Sequence, residues 1–320
     1  RNEVWKDELT LWIDAAKKSP DKVRPEYACG NIYRQRGDSE KAIACYTRSL
    51  KKNPLFYDAY NNRGIVYGDT FQYDKALADF DRAVEICSSK PDAYANRADV
   101  YNFLDREEQA LTDFNRALKV DPLYFLARYN RGNLYARRGE YERAIADYTR
   151  VIKINPSYYK AYNNRGAVYK DSGQCDKALA DFNRVIEIDP DQPAAYANRA
   201  GIYSSLGRDE PALSDFNRAI EVDPAYFLTY YNRANLYQQR GEYEKAIADY
   251  TQTLNLNPNH AGACNNRAVL LFMKEDYEKA WLDIKKMQKL NYWVDPEFLA
   301  ELRNKIIEKN IISTDKDKLK

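Results

Sequence analysis

The stretch "AYNNRGAVY" (residues 161–169) returns along the chain as "AYNNRGIVY" (59–67), "AYANRADVY" (93–101), "RYNRGNLY" (128–135) and "YYNRANLY" (230–237). Aligning on the small residue of this motif gives Gly30, Gly64, Ala98, Gly132, Gly166, Ala200, Ala234 and Ala268, with every interval 34 residues. A fixed period of that length signals a repeat architecture and decides the fold before any local reading. With the small residue at repeat position 8, position 20 is alanine in all eight copies, from Ala42 to Ala280. Position 11 is tyrosine from Tyr33 to Tyr237 and Leu271 in the last copy, position 24 is Tyr or Phe from Tyr46 to Tyr250, and proline recurs at position 32. Small residues at 8 and 20 let two helices approach closely, and the aromatics fill the space beside that contact. The proline then ends the second helix, because it lacks an N–H and clashes with the preceding turn.

Each unit is therefore a helix–turn–helix, and the series resembles the tetratricopeptide repeat family over residues 23–294. The resemblance implies an all-α, right-handed superhelical solenoid of eight repeats: 23–56, 57–90, 91–124, 125–158, 159–192, 193–226, 227–260 and 261–294. Residues 1–22 place Trp12, Ala15 and Pro20 as in an orphan second helix of a preceding repeat. Residues 295–308 read as a capping helix, with Asp295 as N-cap, Pro296 in the first turn, and Phe298, Leu302 and Ile306 at four-residue spacing. Residues 309–320 read as a polar, frayed tail. A longer period of 102 residues lies over the first, since 124–150 matches 226–252 and 92–101 matches 194–203. Duplication of a three-repeat block explains it; a ligand surface recurring every third repeat is the alternative.

Repeat position 7 is arginine from Arg63 to Arg267, and position 23, on the antiparallel helix, is aspartate from Asp79 to Asp283. Positions 7 and 23 lie close to the contact of 8 with 20, so the two rows are expected to form a structural ion pair in each repeat rather than an anion-binding row. In the first repeat both charges vanish together, leaving Cys29 and Cys45. If those positions face each other, a disulfide is one reading and two small buried hydrophobes the other.

Position 6 carries Asn62, Asn96, Asn130, Asn164, Asn198, Asn232 and Asn266, broken only by Ala28. On the first helix it shares a face with positions 2, 5, 9 and 13, which the resemblance assigns to the concave groove. Asparagine offers a donor and an acceptor on a short arm, the chemistry that pairs with a peptide backbone without reading its side chains. Helices ~8–10 Å apart would set one amide against about every third residue of an extended ligand. The row looks like the asparagine ladders of peptide-binding solenoids, including the superhelix of the protein N-acetylglucosamine transferase. Bridging to the next repeat's first helix is the structural alternative. Around the row stand Tyr27, Tyr129 and Tyr231 at position 5 and Asn31, Asn133 and Asn235 at position 9. The expected ligand is thus a protein or peptide, held by a neutral, amide-rich and aromatic face. The basic clamp that some family members use on a chaperone's C-terminal carboxylate is absent, position 6 never being basic.

Fifty Lys+Arg stand against 48 Asp+Glu, so no bulk field favours nucleic acid or anionic membrane. The groove positions supply no basic track for RNA. No apolar run approaches the ~20 residues a membrane span needs. One histidine, His260, read as a surface loop residue, and five scattered cysteines give neither a metal cluster nor a catalytic triad, and no Gly-rich phosphate loop occurs. The expectation is a non-catalytic scaffold without cofactors. A second class remains open: the opening on Arg1 suggests a fragment, and residues 2–43 resemble the segment after the last membrane span of polytopic, glycosyltransferase-like proteins with C-terminal repeats. That would make the chain a regulatory or substrate-recruiting domain of a membrane-anchored enzyme, placed outside the cytoplasm. Oligomeric state is left open.

Overall fold

A computed structural model of the chain describes residues 7–318, with side chains through 309. Eighteen helices and no strand occur among the described residues. The chain divides into two compact units, Arg1–Asn164 and Arg165–Lys320. In the first, α1 (Glu8–Lys18) precedes four hairpins: α2 (Val23–Gln35) with α3 (Ser39–Lys52), α4 (Tyr57–Asp69) with α5 (Tyr73–Ile86), α6 (Asp92–Phe103) with α7 (Glu107–Val120), and α8 (Phe125–Arg137) with α9 (Tyr141–Ile154). The division falls within α10 (Tyr159–Asp171). The second unit continues with α11 (Cys175–Ile188), α12 (Pro193–Ser205) and α13 (Asp209–Val222), α14 (Phe227–Gln239) and α15 (Tyr243–Leu256), α16 (Ala261–Met273) and α17 (Tyr277–Lys289), and α18 (Pro296–Lys318).

The hairpins close as the small-residue pattern requires. All eight position-20 alanines, Ala42 to Ala280, are fully buried. A Cβ added to Gly30 would stand 2.6 Å from Cε1 of Tyr46, and one on Gly64 would stand 2.7 Å from Cε1 of Phe80. Glycine lets the aromatic ring of the second helix lie directly on the backbone of the first. At the turn a residue with φ near +70° reverses the chain, supplied by Gly37, Gly139, Gly173, Gly207 and Gly241 (φ 67 to 75°). Within the first unit, α4 packs on both α2 and α6, and α6 on α8, so the first helices lie side by side. In the second, α12 and α14 do the same.

Both ends are covered. Leu9, Trp12 and Ile13 of α1 pack with Cys29, Ile32 and Cys45, the place a preceding second helix would take. At the other end Leu302 is fully buried, flanked by Phe298 and Ile306, against the core of α16 and α17. The Asp295 carboxylate accepts the Glu297 amide at 2.9 Å. The polar tail expected from residue 309 is instead a continuation of α18 to Lys318, in a run that contains no proline or glycine to stop it.

Gly64→Ala is expected to cost about 1–3 kcal/mol by overpacking against Phe80, read from chemical denaturation, even though alanine is the better helix former.

Candidate functional site

The position-7 arginines are held on two sides. In α6, Arg97 donates from Nε and Nη2 to both carboxylate oxygens of Asp113 (2.6 and 2.9 Å) and from Nη1 to Asp81 of the preceding repeat (2.5 Å). Arg131 repeats the fork on Asp147 (2.7 and 2.6 Å) and reaches Asn115 of the preceding second helix at 2.6 Å. In the second unit Arg199 holds Asp215 (2.7 Å) and Asn183 (2.6 Å), and Arg233 holds Asp249 (2.7 and 2.8 Å) and Asn217 (2.5 Å). The aspartates are buried, Asp113 being 2% exposed. A bidentate fork satisfies a shielded carboxylate, and the third bond ties one hairpin to the one before it. These guanidinium groups form no anion-binding row; they staple the stack.

The first repeat departs from this. Cys29 and Cys45 are free thiols there, both buried. Buried Glu26 takes the ion-pair role, accepting from Arg48 Nε at 2.9 Å while Arg48 Nη2 donates to the Cys45 sulfur at 3.0 Å. Burial pushes the Cys29 thiol up to about 11 and raises that of Cys45 as well, so both stay protonated at neutral pH.

The position-6 amides make a second set of links between repeats. Asn62 Nδ2 donates to the Tyr27 hydroxyl and to Asn31 Oδ1, both at 3.0 Å. Asn164 does the same to Tyr129 and Asn133 (2.9 and 2.8 Å), and Asn266 donates to Asn235 Oδ1 at 3.2 Å and the Tyr250 hydroxyl at 3.1 Å. Each of those position-9 carbonyls also accepts a phenol from its own hairpin: Tyr46 to Asn31 (2.7 Å), Tyr148 to Asn133 (2.8 Å) and Tyr250 to Asn235 (2.6 Å). Burial pushes the Tyr46 and Tyr250 phenols up to about 12, so they remain donors. Where position 24 is Phe80, Phe114, Phe182 or Phe216, position 9 is Ile65, Asp99, Ala167 or Gly201, and no such carbonyl is needed. The 102-residue period thus carries a tyrosine–asparagine–asparagine network.

The rest of the row is less uniform. Asn96 donates to Asn61 Oδ1 (3.0 Å) and Asn130 to Asp99 Oδ1 (2.8 Å). Asn232 faces a preceding repeat with Ala197 and Gly201 at positions 5 and 9, and neither side chain can bond it. Among the described residues the side chains of Asn198 and Asn232 make no hydrogen bond, and both residues are half-buried. The position-5 tyrosines sit at the hairpin junctions: Tyr27 lies edge-on to Phe56 at 4.9 Å, Tyr129 to Tyr158 at 5.2 Å, and Tyr231 is 4.4 Å from the His260 ring. His260 lies in the connection between α15 and α16, as expected, and is half-buried. It caps α16, its Nδ1 accepting the Ala263 amide at 3.0 Å.

The sequence reading missed a cleft of about 480 Å³ in the first unit, lined by α4, α6 and the turn after α4. Asp99 stands at its edge and also borders a second cleft with Asn130 and Asn133. The surrounding walls push the Asp99 carboxyl up to about 7, against the lowering pull of Asn130, although the residue remains exposed to cleft water. No group of three or more metal-ligating side chains, and no helix long and apolar enough to cross a membrane, occurs among the described residues.

Comparison with known proteins finds repeat models along much of the chain. A family model described as "TPR repeat" matches residues 30–70, 132–173 and 202–241. Models described as "Tetratricopeptide repeat" match 159–192 and 227–260, 56–122, and 114–146. Among curated proteins, the UDP-N-acetylglucosamine–peptide N-acetylglucosaminyltransferase of Giardia intestinalis is 33% identical over 54 residues, which are 17% of this chain and 4% of that protein. A tetratricopeptide repeat protein of Parabacteroides merdae superimposes with a TM-score of 0.59 at 23% identity, covering 81% of this chain and 98% of that one. The Cut9–Hcn1 hetero-tetramer of the APC/C gives 0.59 at 16% identity (86% and 54% covered), and PilF of Pseudomonas aeruginosa 0.58 at 19% (66% and 96%). These likenesses establish the fold.

Asn133→Ala is expected to lower stability by about 1–3 kcal/mol by stranding the Tyr148 hydroxyl. Adding Tyr148→Phe should restore most of the loss in urea denaturation, since Phe182 with Ala167 is the chain's own version of that pair.

Proposed function

The chain belongs to the tetratricopeptide repeat family and is a protein-interaction scaffold; we propose that it holds an extended segment of its partner along the first-helix face and contacts that segment's backbone through position-6 amides. The observation that carries this reading is the pair Asn198 and Asn232, on helices α12 and α14 packed side by side, with both donor and acceptor unused by the protein. An amide left half-buried without a partner is costly unless water or a ligand completes it. Asn62, Asn164 and Asn266 serve a mixed role. Their Nδ2 groups link repeats, and Oδ1 of Asn62 and of Asn164 accepts only a long bond from the adjacent Asn61 (3.5 Å) and Asn163 (3.3 Å), so that a carbonyl oxygen with two lone pairs keeps capacity for a backbone N–H. Such contacts are indifferent to ligand side chains, which suits a scaffold and assigns it no reaction of its own. A second reading, a substrate-recruiting repeat domain within a larger enzyme, draws on the 54-residue likeness to a peptide glycosyltransferase. Its test is whether the native polypeptide extends into a catalytic domain.

The test of the first reading uses a peptide selected from a displayed random library on the full chain, with affinity read by fluorescence anisotropy. Asn198→Ala with Asn232→Ala should weaken binding about tenfold or more and leave the denaturation midpoint in place. Asn164→Ala should lower the midpoint as well, because it cuts the links to Tyr129 and Asn133. Unchanged affinity in the Asn198/Asn232 variant would overturn the backbone-reading role.

A further inference from the structure

The cleft beside Asp99 is where the duplicated blocks part company. Residues 59–64 are identical to 161–166, 74–80 to 176–182, and 93–98 to 195–200. Between and just after these matched stretches, the cleft-lining Ile65, Gly68, Phe71, Tyr73, Asp99 and Phe103 correspond to Ala167, Lys170, Gly173, Cys175, Gly201 and Ser205. Framework positions are shared by the two blocks, while the walls of the first block's cleft carry three rings and one carboxylate that the second block lacks.

Two features of those walls run against stability. Phe71 occupies the turn position that glycine fills in five other repeats, at φ 59°, a backbone region that disfavours a bulky side chain. Its ring is nonetheless 74% exposed, and Phe103 is 63% exposed. Phe71 lies edge-on to Tyr73 at 6.2 Å and Tyr73 is 4.8 Å from Phe103, so the three rings make one continuous apolar wall. Asp99 is the second feature. It accepts a single hydrogen bond, from Asn130, and no Lys or Arg lines the cleft. Arg137, in the neighbouring cleft, is turned to Asn102 and Glu107. Asp99 is exposed, so its carboxylate is open to an incoming group, and it stands beside three rings with no cation in the cleft lining to neutralise it.

We infer that this cleft receives one arginine or lysine side chain of the bound partner segment, its aliphatic stem against Phe71, Tyr73 and Phe103 and its cationic head on Asp99. Long basic side chains bury an apolar stem while offering charge at the tip, and a guanidinium also stacks on aromatic faces. The inference rests on the reading of the chain as a peptide-holding scaffold, and it adds side-chain selection to backbone contacts that have none.

The probe is N-acetyl-arginine methylamide, titrated into the full chain with methyl-labelled Ile and Val and followed at Ile65 and Val100. The neutral isostere N-acetyl-citrulline methylamide and the apolar N-acetyl-norleucine methylamide serve as controls. The arginine probe should shift both methyls and bind about tenfold or more tightly than citrulline. Asp99→Asn, which keeps an acceptor for Asn130, should erase that difference. Phe71→Gly should weaken the probe while raising the denaturation midpoint, whereas a merely structural Phe71 would lower it. Equal binding of citrulline or norleucine, or no methyl shift with arginine, would overturn the inference. Because the probe does not span the asparagine row, Asn198→Ala with Asn232→Ala should leave its binding intact. Loss of selected-peptide binding alone in that variant therefore speaks only to the backbone contacts.

Discussion

A guanidinium that makes three bonds to two partners at once organises this molecule. Position-7 arginines grip the buried aspartate of their own hairpin with two parallel bonds, and Arg63, Arg97, Arg131, Arg199, Arg233 and Arg267 reach the preceding second helix with a third, as Arg97 does with Asp113 and Asp81. The fork fixes the guanidinium plane, and the plane fixes where the third bond can land. Removing the arginine would leave a carboxylate such as Asp113, 2% exposed, with only the longer 3.5 Å contact of Arg116. The neighbouring hairpin is thereby held in register, and with it the face on which the position-6 amides stand.

That face is built for two demands that compete for the same atoms. Asn62 and Asn164 donate to the preceding repeat, receiving in return a fixed orientation through Asn31 and Asn133, which are themselves pinned by Tyr46 and Tyr148. An amide held this way, its oxygen engaged only by a long bond from Asn61 or Asn163, presents its second lone pair at low entropic cost to a ligand. Asn198 and Asn232 lie at the other limit, with no protein partner and both bonding capacities open. The cleft at Asp99 adds shape and charge at one place along an otherwise repetitive surface.

The hairpins and their ion pairs could be read from the sequence because each needs only positions within one 34-residue frame. The asparagine row was legible as a row, but the destination of its donors was not, since that depends on which residue the preceding repeat places opposite. The clue was present in the correlation of tyrosine at position 24 with asparagine at position 9, at Tyr46 with Asn31, Tyr148 with Asn133 and Tyr250 with Asn235. The cleft was beyond such reading. Nothing in the sequence sets Phe71 apart before its backbone angle and exposure are known, and the contact of Tyr73 with Phe103 spans two hairpins. His260 was legible as a junction residue, but not its role as the cap of α16, which depends on where its Nδ1 meets the Ala263 amide.

If the arginine staple carries the stacking, its loss must be felt locally. Hydrogen exchange followed by mass spectrometry on Arg199→Met tests this most directly, because Arg199 binds Asp215 of α13 and Asn183 of α11 from α12. The account predicts exchange about 10²-fold faster in α11, α12 and α13, with α17 unchanged, as expected for a chain whose repeats are stabilised mainly by their neighbours. An equal acceleration throughout residues 165–320, or no acceleration at all, would contradict it.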